Sequence, residues 1–242
     1  MDITKSFDRY VIQARIVPVL IVVFPLAALV AVWLPEESIG WKLLSSLVAL
    51  VLLSLIAQLG RNPGKAKEAE LFRKWGGKPS IRKLRYRDTD LQWITLERIR
   101  TNLAREVGIP GPTKTEEAAD PEAADQVYSA WIDQMREATR GDRILHSENI
   151  GYGFCRNLWA MKPAGIVIGL IGLAAASVGM AVATDTASVV MASAVIFLDA
   201  CLVTWWLFRV SDEWVRLAAD AYADRLMRAY LGQKPEKQTA AA

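Results

Sequence analysis

The chain has 242 residues, of which 52% are hydrophobic and 23% charged, with a net charge of +3. A mean hydropathy of +0.19 is too high for an ordinary soluble domain of this length, so apolar and charged residues must be segregated along the chain. One histidine and two cysteines exclude multi-histidine metal sites and a disulfide framework.

Residues 1–15 are short and mixed, with Lys5, Arg9 and Arg15. The apolar run 16–34 follows. It is too long for a signal-peptide core, and no small-x-small cleavage site follows it. Pro18 and Pro25 should kink a helix here, which membrane helices tolerate. An acidic turn at 35–40 leads to a second apolar run at 41–59. Residues 1–60 are therefore expected to form a transmembrane hairpin.

The segment 61–163 is the only part able to fold in water. Its first forty residues hold twelve Lys and Arg against five Asp and Glu, and residues 101–150 hold five against ten. The short turns of the apolar hairpins carry no Lys or Arg, so the positive-inside rule puts both termini and 61–163 in the cytoplasm. Lys65–Trp75 reads as a short helix closed by Gly76-Gly77. Asp88 or Thr89 would cap a helix reaching Glu106, with Leu91, Ile94, Ile99 and Leu103 at helical spacing. Thr113–Ala119 reads as an exposed loop. Asp120-Pro121 then starts a helix burying Val127, Trp131, Ile132 and Met135 and stopping near Gly141. Residues 148–162 mix aromatic and basic residues and are expected to form an interfacial elbow.

Two apolar arms, 164–183 and 187–208, flank a turn at Thr184-Asp185-Thr186. Each is long enough to cross about 30 Å of hydrocarbon, and the turn is too short for anything but an antiparallel pair. Residues 209–231 should continue the last helix as a cytoplasmic amphipathic helix, and 232–242 read as a disordered tail. The fold class is thus an all-α membrane protein, four transmembrane helices in two hairpins with a helical cytoplasmic domain between them.

Catalytic signatures are absent, so the chain is read as a non-enzyme without cofactor or metal. Gly165, Gly169 and Gly172 give the third membrane helix a small-residue face for close packing. Asp199 is a carboxylate at membrane depth. Either it bonds to Thr204 or Ser193 and only packing is at stake, or with Thr204 it lines a cation path. The run Arg82-Lys83-Leu84-Arg85-Tyr86-Arg87 either touches anionic lipid or, with Arg156, binds phosphate groups while Tyr86 stacks on a base.

Four stretches carry a resemblance. They are Arg85-Tyr-Arg-Asp-Thr-Asp90, Ile94-Thr-Leu-Glu-Arg98, Pro121-Glu-Ala-Ala-Asp125, and Glu148-Asn-Ile-Gly-Tyr-Gly-Phe-Cys-Arg-Asn-Leu-Trp159 leading to Lys162-Pro163. Over roughly residues 80–165 the chain resembles the membrane effectors of Hailong-type bacterial anti-phage defence systems. The resemblance implies a homo-oligomeric inner-membrane ion channel, with a tetramer as the expected assembly. It further implies control by an oligonucleotide from an associated nucleotidyltransferase. In that family the signal is thought to hold the channel shut until infection removes it, after which ion flow stops growth. The alternative is a non-conducting scaffold or sensor that recruits a soluble partner.

Overall fold

The computed structural model describes residues 9–33 and 63–232. The expected turn at 35–40, the second apolar run and the tail from 233 lie outside them. The described residues are helical, without strands. Among the described residues, three helices are long and apolar enough to cross a membrane, at Val11–Leu29, Arg143–Val182 and Thr186–Phe208. The described chain divides into two compact units, one of residues 9–33, 63–68 and 153–215, the other of 69–152 and 216–232.

The apolar unit begins with a π-helical turn at Val11–Ile16 followed by α1, Val17–Trp33. The widened turn has a cause in Pro18, which has no N–H for the carbonyl of Ala14 four residues back. The Val17 N–H reaches Ile12 instead. The side chain of Asn157 donates to the Ala14 carbonyl at 2.6 Å. That contact needs close approach: a Cβ on Gly153 would lie 3.0 Å from the Ala14 Cβ and 3.1 Å from the Tyr10 hydroxyl.

Next in chain order come α2, Pro63–Lys74, and α3, Pro79–Arg82. They are followed by α4, Trp93–Val107, α5, Lys114–Ala119, and α6, Pro121–Ala138. The chain ends in α7, Arg143–Val182, α8, Thr186–Phe208, and α9, Asp212–Leu231. Residues 148–162, expected as an elbow, belong instead to the regular helix α7. Pro163 lies inside this helix and removes a single helical hydrogen bond. α7 yields to α8 at Ala183–Asp185, where the Asp185 carboxylate accepts the Ser188 N–H and hydroxyl at 2.9 and 2.6 Å. α8 does not run on into α9. Lys162 donates to the carbonyls of Leu207 and Val210 at 3.2 and 2.8 Å, satisfying the end of α8, and the Ser211 hydroxyl accepts the Trp214 N–H at the start of α9.

The polar unit packs α4 and α6 through their apolar faces. Leu96, Ile99 and Leu103 meet Tyr128, Trp131, Ile132 and Met135, and Leu226 and Met227 of α9 complete the core. α4 starts at Trp93, later than the expected Asp88 or Thr89 cap. Those side chains are already engaged: Asp88 on Arg85, and the Thr89 hydroxyl on the Lys83 carbonyl and the Leu91 N–H. Ile94, expected inside, is 80% exposed, because the buried stripe runs Leu96, Ile99, Arg100, Leu103. Gly108, at φ 71°, ends the helix in the left-handed conformation. Residues 114–119 are helix rather than loop. Thr113 and Glu116 form a reciprocal capping box that stabilises even this short turn. Asp120 caps α6 through the Ala123 N–H, with Pro121 first in the helix, as the sequence predicts.

Candidate functional site

The buried stripe of α8 is Ala192, Val195, Asp199, Val203 and Trp206. Helical spacing puts Asp199 in the middle of that stripe, and it is 0% exposed. Its seat is made by two backbone features. A Cβ on Gly172 of α7 would stand 2.5 Å from Asp199 Oδ2 and 2.8 Å from the Pro25 Cβ of α1. The carboxyl therefore lies against α7 where only glycine leaves room, beside the proline of α1. Neither carboxyl oxygen has a hydrogen-bond partner among the described residues.

The glycines of α7 set the rest of this seam. A Cβ on Gly165 would meet the Trp206 indole and one on Gly169 the Val203 side chain, each at 2.5 Å. Rising numbers on α7 pair with falling numbers on α8, so the pairing is antiparallel. Trp206 is fully buried, and its indole N–H also lacks a partner among the described residues. Seven residues separate it from Asp199, or about 10 Å along the helix. One seam thus holds two orphaned polar groups two turns apart.

Thr204 is not part of this seat. Five residues at 100° each put it roughly 140° around the helix from Asp199. Its hydroxyl donates to the Ala200 carbonyl at 2.8 Å, and it lines an outer groove with Phe197, Trp205 and Phe208. Ser193 likewise donates to the Val189 carbonyl of its own helix. Neither residue supplies the partner that the sequence suggests for Asp199.

In the polar unit the basic run is embedded in acid. Arg85 directs two nitrogens at Asp125 and a third to Asp88 and the Gly76 carbonyl at 2.7 Å each, with its side chain 5% exposed. Gly77, at φ 133°, lies so close that a Cβ there would strike this guanidinium. Lys83 bridges Asp90 and Asp224 at 2.6 Å each and is 10% exposed. Burial alone would lower the Lys83 ammonium, but the hydrogen bonds to Asp224 and Asp90 outweigh it and raise it above its ordinary value. The same hydrogen bond from Lys83 holds the Asp90 carboxyl below its ordinary value. Arg82 reaches Asp88 at 3.9 Å, and Arg87 reaches Glu117 at 3.2 Å with its side chain 39% exposed. Arg156 belongs to the apolar unit, where it pairs with Glu68 at 2.7 Å.

Two residues that the sequence reading passed over hold this run in place. Glu117, 2% exposed, accepts the backbone N–H groups of Tyr86 and Arg87 and the Tyr128 hydroxyl. Arg100 donates to the Leu84 and Pro112 carbonyls and to the Tyr128 hydroxyl, and its guanidinium lies 3.8 Å over the Tyr86 ring. Trp93 stacks on Tyr86 at 5.8 Å and is itself exposed. Burial first, then the Glu117 hydrogen bond, push the Tyr128 hydroxyl well above its ordinary range. Arg100 had a sequence signal, its place within the apolar stripe of α4. Glu117 had only the capping box beside it.

No family model, curated protein or solved structure matches the chain.

Proposed function

We propose that the chain is an oligomeric ion channel of the bacterial inner membrane, acting as an anti-phage defence effector under the control of an oligonucleotide. In this reading 41–59 is a fourth membrane helix, the two apolar pairs are hairpins, and both termini and the polar unit are cytoplasmic. The observation that carries it is Asp199, a carboxyl buried at the centre of an apolar helix without a partner among the described residues. Ionisable groups at membrane depth are costly, and where they occur they mark ion or proton pathways. The orphaned Trp206 N–H on the same stripe supports a path along the α7–α8 seam. Control by an oligonucleotide rests on the resemblance. Within the basic run, Arg82 and Arg87 keep the most exposed side chains, and the signal would have to compete with Asp88 and Glu117 for them as with Asp224 for Lys83.

The decisive measurement is membrane potential in cells expressing the wild type or Asp199→Asn, with and without the partner nucleotidyltransferase. Depolarisation by the wild type that Asp199→Asn abolishes supports the channel. Full polarisation under every condition refutes it. A scaffold is the second reading, favoured by Trp93 and Ile94, which present a large exposed apolar surface on a unit whose basic run is already neutralised. It requires a co-purifying soluble partner and no depolarisation.

A further inference from the structure

Asp199 raises the question of what its carboxyl binds. A metal or alkali cation needs several oxygen ligands. The carboxyl lies against Gly172 beside the Pro25 Cβ, neither of its oxygens has a hydrogen-bond partner among the described residues, and among those residues no group of three or more His, Cys, Asp or Glu stands together. A proton needs no coordination shell and no extra volume. A bare carboxylate facing carbon would bear the full cost of desolvation, whereas the neutral acid bears a small fraction of it. Among the described residues, the packed elements supply no compensating charge. α1 from Val17 to Trp33 and α7 from Pro163 to Val182 contain no titratable residue, and on α8 the only other is Cys201, exposed on the outer face.

We infer that Asp199, seated between Gly172 of α7 and Pro25 of α1, is a proton-binding site whose neutral acid form closes the α7–α8 seam. Release of the proton leaves an anion against carbon, so the seam opens until water reaches the carboxylate, and the opened seam then attracts cations. The inference rests on the channel reading only in its last step. The proton site itself follows from the seat.

The test is infrared spectroscopy of the full chain in lipid nanodiscs, wild type minus Asp199→Asn, from neutral to alkaline pH. Asn is a neutral isostere and keeps the seam packed. A carboxylic acid C=O stretch at neutral pH, present in the wild type and missing from Asp199→Asn, is the expected result. Carboxylate stretches alone at neutral pH overturn it. Gly172→Ala, which fills the seat, should lose the acid band while circular dichroism remains helical; retention of the band in that variant overturns the role of the seat. Ion flux into vesicles separates the two ideas. Ionised Asp199 with flux intact sinks the proton site and leaves the channel, and a protonated Asp199 without flux at any pH does the reverse.

Discussion

Arg85 illustrates how a side chain that reads as a ligand contact becomes a structural one. Its guanidinium is ringed by Asp125, Asp88 and the Gly76 carbonyl at the heart of the polar unit. Removing one partner of a buried pair strands the others. Arg85→Met should therefore lower the stability of the polar unit by about 3 kcal/mol, read as a fall in the urea midpoint of tryptophan fluorescence. Arg85→Lys, which cannot span two carboxylates in a planar fork, should recover only some of the loss. A midpoint within error of wild type for Arg85→Met would show that these ion pairs contribute nothing. Lys83 adds a pH dependence. Its folded value is raised above 10.5, so its stabilisation is present below pH 10.5 and lost as pH rises through the higher folded value. Asp90 is lowered below 3.8, so its share is present above that and lost as pH falls through the folded value. Lys83→Met should flatten both limbs of a stability profile taken between acid and alkali.

At the scale of elements, the helices with strong apolar periodicity and explicit caps were legible in the chain, and the misreadings have physical causes. Asp120-Pro121 announced α6, and Trp131, Ile132 and Met135 are buried as expected, while Val127 is only partly buried and Tyr128 takes the inner position beside it. The start of α4 was misplaced because local sequence cannot tell that Asp88 and Thr89 are bound elsewhere. The α5 turn was missed although its Thr-x-x-Glu box was in plain view. Thr113→Ala, removing one half of that box, should cost about 1 kcal/mol of polar-unit stability, and because α5 carries Glu117, it should also loosen hydrogen exchange at Tyr86 and Arg87. Unchanged exchange there would separate α5 from the basic run. Two glycines of α7 make a sharper contrast. Nothing lies within 4 Å of a Cβ placed on Gly151, whereas one on Gly172 meets Asp199 and Pro25. Gly151→Ala should be neutral or stabilising by up to about 1 kcal/mol through helix propensity. Gly172→Ala should lower the thermal midpoint, since a glycine-to-alanine change there must push packed helices apart. The glycine spacing marked this face in advance; that the partner would be Asp199 could come only from the antiparallel register.

For the whole molecule, the apolar runs mark helices long and apolar enough to cross a membrane, whereas 153–163 and 209–215, expected with the polar segments, fall in the apolar unit, and pairings between distant segments, such as Lys83 with Asp224 or Asn157 with Ala14, are beyond any local pattern. A fourth span at 41–59 would add to the three apolar helices described. Four spans put the turns at 35–40 and 183–185 on one side of the membrane and the polar unit on the other; three spans, with 41–59 not crossing, put 35–40 on the same side as the polar unit. Single cysteines distinguish these cases once Cys155 and Cys201 are replaced by serine and alanine. Thr184 and Thr115 are both exposed, so a lack of reaction at either reports the membrane rather than burial. With an impermeant maleimide on intact cells, Ser38→Cys and Thr184→Cys should be labelled, and Thr115→Cys only after permeabilisation. Labelling of Thr184→Cys alone would reduce the count to three spans and remove the first hairpin. Labelling of Thr115→Cys in intact cells, with Thr184→Cys protected, would invert the protein. An inverted protein would place the Arg82–Arg87 run outside the cell, away from any nucleotide made in the cytoplasm, so one labelling pattern tests both the positive-inside reading and the control proposed to depend on it.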